Sequence, residues 1–267
     1  MRRVAVHGAG GRMGRAVLRA VLDDPGMQLA AAFDRPDAPA VGRDAAELVG
    51  GEALGVRVQP LDPAALAGVD VAIDFSRPGP SLALLDACLA GGTALVVGTT
   101  GFDAAQRRRF EAAAAHLPIV LAPNMSVGVN LCFKLIEIAA AVLGDGADIE
   151  IIEAHHRHKV DAPSGTALGM GRAAARALGR ELDDVAIWSR HGHTGERPRG
   201  RIGFAVVRGG DIVGDHTALF AAEGERIEIT HRAADRAIYA RGALRAAAWL
   251  EGRPAGLYDM QDVLGLR

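Results

Sequence analysis

The sequence predicts an α/β chain in two parts. The first is a parallel-sheet domain, and the second is an α+β domain with an open, mainly antiparallel sheet. Three observations predict this. Up to about residue 125, short apolar runs alternate with helical patterns, the rhythm of a parallel sheet covered on both faces. Beyond it come a long apolar helix and then three runs that alternate inward and outward residues. A knot of glycines lies between the first apolar run and the first helical pattern, where nucleotide-binding loops sit.

The elements follow in order. Val4–Val6 is a strand, and Met13, Val17 and Val21 recur as on an amphipathic helix. Gln28–Phe33 and Val69–Phe75 are strands, with a helix over Ser81–Leu89. Ala94–Val97 is a strand, followed by a polar helix near Asp103–Ala115 and a strand at Pro118–Leu121. The rhythm then changes. Val127–Leu143 reads as a long helix with Ser126 as N-cap, and Asp148–Glu153 as a strand. Ser164–Leu178 is a helix between Pro163 and Gly179. Arg201–Arg208, Ile212–Phe220 and Arg226–His231 read as antiparallel strands, with Gly209-Gly210 as a hairpin signal between the first two. Ala233–Leu250 is a last helix. The expected division is 1–125 plus 236–267 as a dinucleotide-binding domain and 126–235 as a substrate-binding, catalytic and oligomerisation domain.

Composition narrows the function. The chain has 267 residues, 49% hydrophobic and 23% charged, as in ordinary globular proteins. Thirty basic against 32 acidic residues give a net charge of −2, which argues against a general nucleic-acid binder. Cys88 and Cys132 fit no metal or disulfide spacing. Val4–Val6 is too short for a signal-peptide core, and the longest stretch free of charged residues, Ala112–Phe133, is interrupted by His116, two prolines and two asparagines. No membrane partner and a cytoplasmic location are expected. Lys134 and Lys159 are the only lysines among the 30 basic residues. A retained lysine points to work that needs a compact, titratable ammonium.

The glycine loop is His7-Gly8-Ala9-Gly10-Gly11-Arg12-Met13-Gly14. Strict GxGxxG fails, because its third glycine would be Met13. A GxxGxxG reading runs through Gly8, Gly11 and Gly14. Between a strand and a helix, such a loop brings backbone N–H groups to a pyrophosphate at the helix N-terminus. Asp34 ends the second apolar run, about 20 residues beyond Gly14, where a carboxylate accepts from ribose hydroxyls. Arg35 beside it is placed for a 2′-phosphate, so the pair suits either NADH or NADPH. Gly98-Thr99-Thr100 and Ala122-Pro123-Asn124-Met125 follow the fourth and fifth strands and are expected to border the nicotinamide half. The competing reading is a structural glycine turn and ordinary loops.

Glu153-Ala154-His155-His156-Arg157-His158-Lys159 is the densest chemical constellation, with three of nine histidines. Crowded cations disfavour one another's charge, which is expected to bring lysine and histidine pKa values toward neutrality for proton donation. Ser164-Gly165-Thr166 then opens a helix whose N–H groups form a carboxylate site. The two pieces together suit a small dicarboxylic acid. Metal binding by the histidines is the weaker alternative, because no cysteine completes a closed site and Arg157 and Lys159 repel a cation. A solvated basic loop is the other.

These residues resemble the 4-hydroxy-tetrahydrodipicolinate (dihydrodipicolinate) reductases of lysine biosynthesis. The match runs through Gly8–Gly14, the long signature Glu153–Ala167, Gly192–Arg197 and Arg208–Gly214. The resemblance implies a Rossmann-like first domain and a hydride transfer from NADH or NADPH to a cyclic imine dicarboxylate, formed by loss of water from the 4-hydroxy precursor. It implies Lys159 as proton donor and His155 as acid–base or charge-stabilising group. His156, Gly165 and Thr166 are then substrate-binding. Gly8, Ala9, Gly10, Gly11, Arg12, Met13, Asp34, Arg35, Gly98, Thr99, Thr100, Ala122, Pro123, Asn124 and Met125 are cofactor-binding. No metal is implied, and a homotetramer built through the second domain's sheet is. Some members carry glutamate where this chain has Asp34, which leaves the NADH-to-NADPH preference open.

Overall fold

The first strand shows how the sequence sorts its core. In β1 (Arg2–His7), Val4 and Val6 face one apolar cluster and Ala5 faces another, all fully buried. A strand buried on both faces must be covered by helices on both. The computed structural model describes residues 1–267, which divide into two compact units, 1–127 with 236–267 and 128–235.

In the first unit, β1 is followed by α1 (Arg12–Asp23), β2 (Met27–Phe33), β3 (Val58–Gln59), β4 (Val71–Asp74), α2 (Pro78–Gly91), β5 (Ala94–Val97), α3 (Ala104–Ala113) and β6 (Pro118–Leu121). After the second unit, α7 (Ala237–Trp249), β12 (Gly256–Tyr258) and α8 (Met260–Leu264) return to it. Seven strands form one wholly parallel sheet in the order β12-β6-β5-β4-β1-β2-β3. Val17, Leu18 and Val21 of α1 and Ala243, Ala246 and Ala247 of α7 pack on one face. Leu84, Leu85 and Cys88 of α2 and Phe110 of α3 pack on the other. The connections leave β1 in opposite directions toward β2 and β4, which makes a crevice at their carboxyl ends, the usual ligand position in such sheets.

In the second unit come α4 (Val127–Leu143), β7 (Asp148–His155), α5 (Gly165–Ala177), α6 (Leu182–Val185), β8 (Ala186–Ile187), β9 (Ile202–Arg208), β10 (Gly214–Ala221) and β11 (Arg226–Ala233). The strand order is β11-β10-β7-β9-β8. Here the structure corrects an expectation. β9 and β10 do not form a hairpin around Gly209-Gly210, because β7 lies between them and pairs parallel with β9 and antiparallel with β10. The true hairpin is β10–β11, and the sheet is mixed. The last helix also begins later than expected, because Ala233 still belongs to β11.

Cys132, Ile136 and Ala140 of α4 and Ala167, Met170 and Ala174 of α5 pack on Ile149, Ile151, Ile202, Phe204, Ala218 and Phe220. By strand alternation, the opposite face carries Ile152, Val207 and Leu219, and Ile152 and Val207 are exposed. The segment Val127–Gly146 has the length and composition of a membrane span, with mean hydropathy 1.8. One side of it is the core just described, and the other exposes Leu131, Leu135, Ile138 and Val142.

Candidate active site

The glycine loop is built from backbone crowding. Gly8 has φ +77°, and a Cβ there would stand 2.6 Å from the Phe75 carbonyl oxygen. Gly8 and Ala9 N–H both donate to the Phe33 carbonyl, and Gly11 N–H donates to that of Gly8. Gly11 is the N-cap of α1 and carries no side chain to satisfy the first turn, which contains no acidic residue either. Uncapped N–H groups at a helix start favour an anion. The loop therefore fits the pyrophosphate of a dinucleotide, with Ala9 buried and Arg12 exposed at its end.

Asp34 does more than the sequence reading assigned to it. Its Oδ2 accepts from Gly10 N–H at 2.6 Å and its Oδ1 from Arg35 N–H at 2.8 Å. A carboxylate has about four acceptor positions, so room is left for ribose hydroxyls. Arg35 is exposed and pairs with Asp37 at 3.1 Å.

The loops after β5 and β6 differ from expectation in detail. Thr99 is buried, and its hydroxyl donates to Asp74 Oδ2 and accepts from Ser76 N–H. The same Asp74 receives Ser76 Oγ and lies 2.8 Å from His7 Nδ1. This network of His7, Asp74 and Thr99, all buried, with half-buried Ser76 joins the ends of β1, β4 and β5, and sequence reasoning missed it. Ala122 and Met125 have buried side chains, so only their backbone can meet a ligand. Asn124 Oδ1 is held by Ser126 N–H. Thr100 and Pro123 are exposed, and with Arg107, Tyr258 and Arg267 they help line a cavity of about 280 Å³.

In the second unit, β7 alternates so that Glu153 and His155 both point to the buried face. His155 Nδ1 lies 2.6 Å from Glu153 Oε2. Arg208 of β9 binds both oxygens of that carboxylate, at 2.7 and 2.8 Å, and Ser164 N–H donates to Oε1. Burial raises the Glu153 carboxyl, but bonds from Arg208, His155 and Ser164 outweigh it, and the net shift is downward. Lys159 is not a bare member of a cation cluster. Its Nζ donates to both oxygens of Asp161, at 2.7 and 2.8 Å. Lys159 and His155 each have a carboxylate in direct contact. No group of three or more metal-binding side chains forms.

Ser164 caps α5 through Ala167 N–H. Gly165 is exposed, and nothing lies within 4 Å of where its Cβ would be. His156 is half-buried, with its N–H on the Ile212 carbonyl. His216 of β10 is a further residue the sequence reading missed. It is buried, its Nε2 is 2.8 Å from Ser164 Oγ, and its ring meets that of His155 edge-on at 4.9 Å.

Burial, and then His155, push His216 down from 6.5 to about 4. Between those values the unfolded chain binds the proton that the folded chain refuses. Stability is therefore full above pH 6.5 and falls as pH drops toward 4, by about 3 kcal/mol. The urea midpoint of His216→Gln, compared with wild type across this range, is expected to lose that part of the slope. Parallel slopes would remove His216 as its source.

Comparison with known proteins gives the family. Residues 2–125 match the family model described as dihydrodipicolinate reductase, N-terminus, and residues 128–264 match its C-terminus. A 4-hydroxy-tetrahydrodipicolinate reductase of Thiobacillus denitrificans is 61% identical over 265 residues, 99% of each chain. A dipicolinate-bound dihydrodipicolinate reductase from Paenisporosarcina sp. TG-14 superposes with a TM-score of 0.76 at 27% identity, covering 98% of each chain. An amine dehydrogenase from Mycobacterium smegmatis shares the fold alone, with a TM-score of 0.65 at 13% identity over 96% of this chain and 94% of that one. The chain belongs to the dihydrodipicolinate reductase family of oxidoreductases.

Proposed function

We propose that His155 and Lys159 carry the proton chemistry of this family's reaction, the NAD(P)H-dependent reduction of 4-hydroxy-tetrahydrodipicolinate, via dihydrodipicolinate, to tetrahydrodipicolinate in the diaminopimelate route to lysine. The observation that carries the reading is a segment only five residues long. It holds an imidazole tied to a buried carboxylate through one nitrogen, and an ammonium tied to Asp161.

Bound NADH or NADPH supplies the hydride. Hydride addition to a conjugated imine leaves electron density on the ring, and Lys159 Nζ gives the proton that quenches it. His155, once protonated at Nε2, stabilises that charge, or its Nε2 relays a proton. His156 and the backbone at Gly165 and Thr166, at the start of α5, hold the substrate's carboxylates, favoured there by the helix dipole. In the 1–125 plus 236–267 domain, Gly8 to Met13 hold the pyrophosphate, Asp34 the ribose, and Arg35 a 2′-phosphate. Gly98 to Thr100 and Ala122 to Met125 border the nicotinamide.

The deciding experiment supplies the chain with the product of dihydrodipicolinate synthase and follows loss of reduced-nicotinamide absorbance with each cofactor. Oxidation of at least one is expected. Cofactor binding without oxidation would leave a nucleotide-binding module and defeat the reading.

The 126–235 domain also carries the assembly. Its sheet has helices on one face only, while Ile152, Val207 and Leu219 occupy the other. A sheet face that no helix covers and that exposes Ile152 and Val207 beside the Glu150–Arg190–Arg197 ion pairs favours association, and four copies packed through it form a cytoplasmic homotetramer. Light scattering that gives the mass of a single chain would refute the assembly.

A further inference from the structure

We propose that Glu153, clamped by Arg208, is the positioning carboxylate of His155, and that Arg208 couples this pair to the loop that carries Lys159. The inference rests on the acid–base role proposed for His155. Four observations converge. Glu153 is 1% exposed on the inner face of β7, two residues before His155. An ionised carboxylate only accepts hydrogen bonds, so the 2.6 Å contact requires that His155 Nδ1 carry the hydrogen. The neutral ring then has its lone pair on Nε2, which makes no hydrogen bond within the protein. Gly214, opposite on β10, keeps that nitrogen clear, because a Cβ there would stand 3.0 Å from it.

The clamp explains why a carboxylate is tolerated at this depth. Arg208 grips both Glu153 oxygens and Ser164 N–H takes a further position, so the charge is paired and its lone pairs are used. The same guanidinium donates from Nη2 to the Asp161 carbonyl at 2.7 Å. Asp161 in turn grips Lys159. One arginine thus fixes both the tautomer of the histidine and the path of the loop that presents the lysine. Lysine cannot replace it, since a single ammonium lacks the planar fork.

Around His155 the charged and titratable groups are Glu153 on its own strand, Arg208 on β9, His216 on β10 with His231 beyond it on β11, and Lys159 and Asp161 on the following loop. Of these, Glu153 is the negative charge in direct contact with the ring. Its removal lowers the basicity of the ring and frees the tautomer.

Glu153→Gln keeps the shape and removes the charge. The expected result is a kcat loss of about 100-fold, with cofactor affinity unchanged and the pH–rate limb that belongs to His155 moved to lower pH. Arg208→Lys is expected to fall between wild type and Glu153→Gln. A folded Glu153→Gln enzyme with wild-type kcat and pH profile would overturn the proposal. Should that variant not fold, nitrogen NMR of His155 in the wild-type protein decides: a neutral Nδ1–H ring supports the assignment and an Nε2–H ring refutes it. His155→Ala separates the two levels. If it turns over normally, the role of His155 itself is wrong. If it is impaired while Glu153→Gln is normal, only the positioning role falls.

Discussion

Lys159→Ala is expected to lower kcat by about 10²–10⁴-fold, roughly 3–5 kcal/mol of barrier, while cofactor affinity stays nearly unchanged. Affinity is spared because the glycine loop, Asp34 and Arg35 belong to the other structural unit. The fold is spared too. The only ion pair lost is with Asp161, whose side chain is 56% exposed, and such pairs contribute about 0–1 kcal/mol. Lys159→Arg sharpens the test. Arginine keeps the positive charge and can still grip the Asp161 carboxylate bidentately, but at neutral pH it does not release a proton. If Lys159 only attracted the anionic substrate, arginine would restore most of the turnover. If Lys159 donates the proton, arginine stays as impaired as alanine. A chain that uses arginine at nearly every other basic position already makes that exchange elsewhere, so failure of the exchange at 159 would show what the ammonium is kept for. Normal turnover in Lys159→Ala would remove the residue from the chemistry.

What could be read from residues alone was local. The apolar runs that became β1, β2, β4, β5 and β6 have three to seven patterned residues each, and the strands they became have four or more. β3, β8 and β12 have only two or three residues, too few for any period to show. The Gly209-Gly210 signal misled for a related reason. A tight-turn sequence marks a bend, but which strands pair across it depends on β7, which inserts between them from some 50 residues away. The segment 155–159 and the start of α5 were visible because their chemistry is contiguous. Their supports were not. Arg208 meets Glu153, His216 meets Ser164, and Asp74 meets His7 and Thr99 only after the sheets form. One sign was present: period-two alternation puts Glu153 on the same buried face as Ile149 and Ile151. A carboxylate there demands a partner.

Gly14→Ala is expected to abolish cofactor binding at concentrations that saturate the wild type. A Cβ at Gly14 would stand 2.0 Å from the Gly8 carbonyl oxygen, 2.7 Å from its carbon and 2.8 Å from the α-carbon of Ala9. All three are backbone atoms, so no rotamer change relieves the clash. Either α1 lifts or the loop retreats. α1 is held by Val17, Leu18 and Val21 in the core beside α7, so the loop is the part that yields. Gly8 cannot retreat freely, because it backs onto the Phe75 carbonyl and its N–H is bonded to Phe33. The movement therefore breaks the Gly11–Gly8 and Gly10–Asp34 hydrogen bonds that shape the anion cradle. A displacement of roughly 1 Å at such a site costs on the order of 100-fold, and the overpacking adds about 1–3 kcal/mol of destabilisation. Titration of cofactor fluorescence and a melting curve measure the two effects separately. Gly146→Ala, exposed and with nothing within 4 Å of its Cβ position, is the matched control. Near-native cofactor affinity in Gly14→Ala would mean that the pyrophosphate is not held at this loop, and the assignments of Asp34 and Arg35, which depend on where the adenosine leaves it, would fall together.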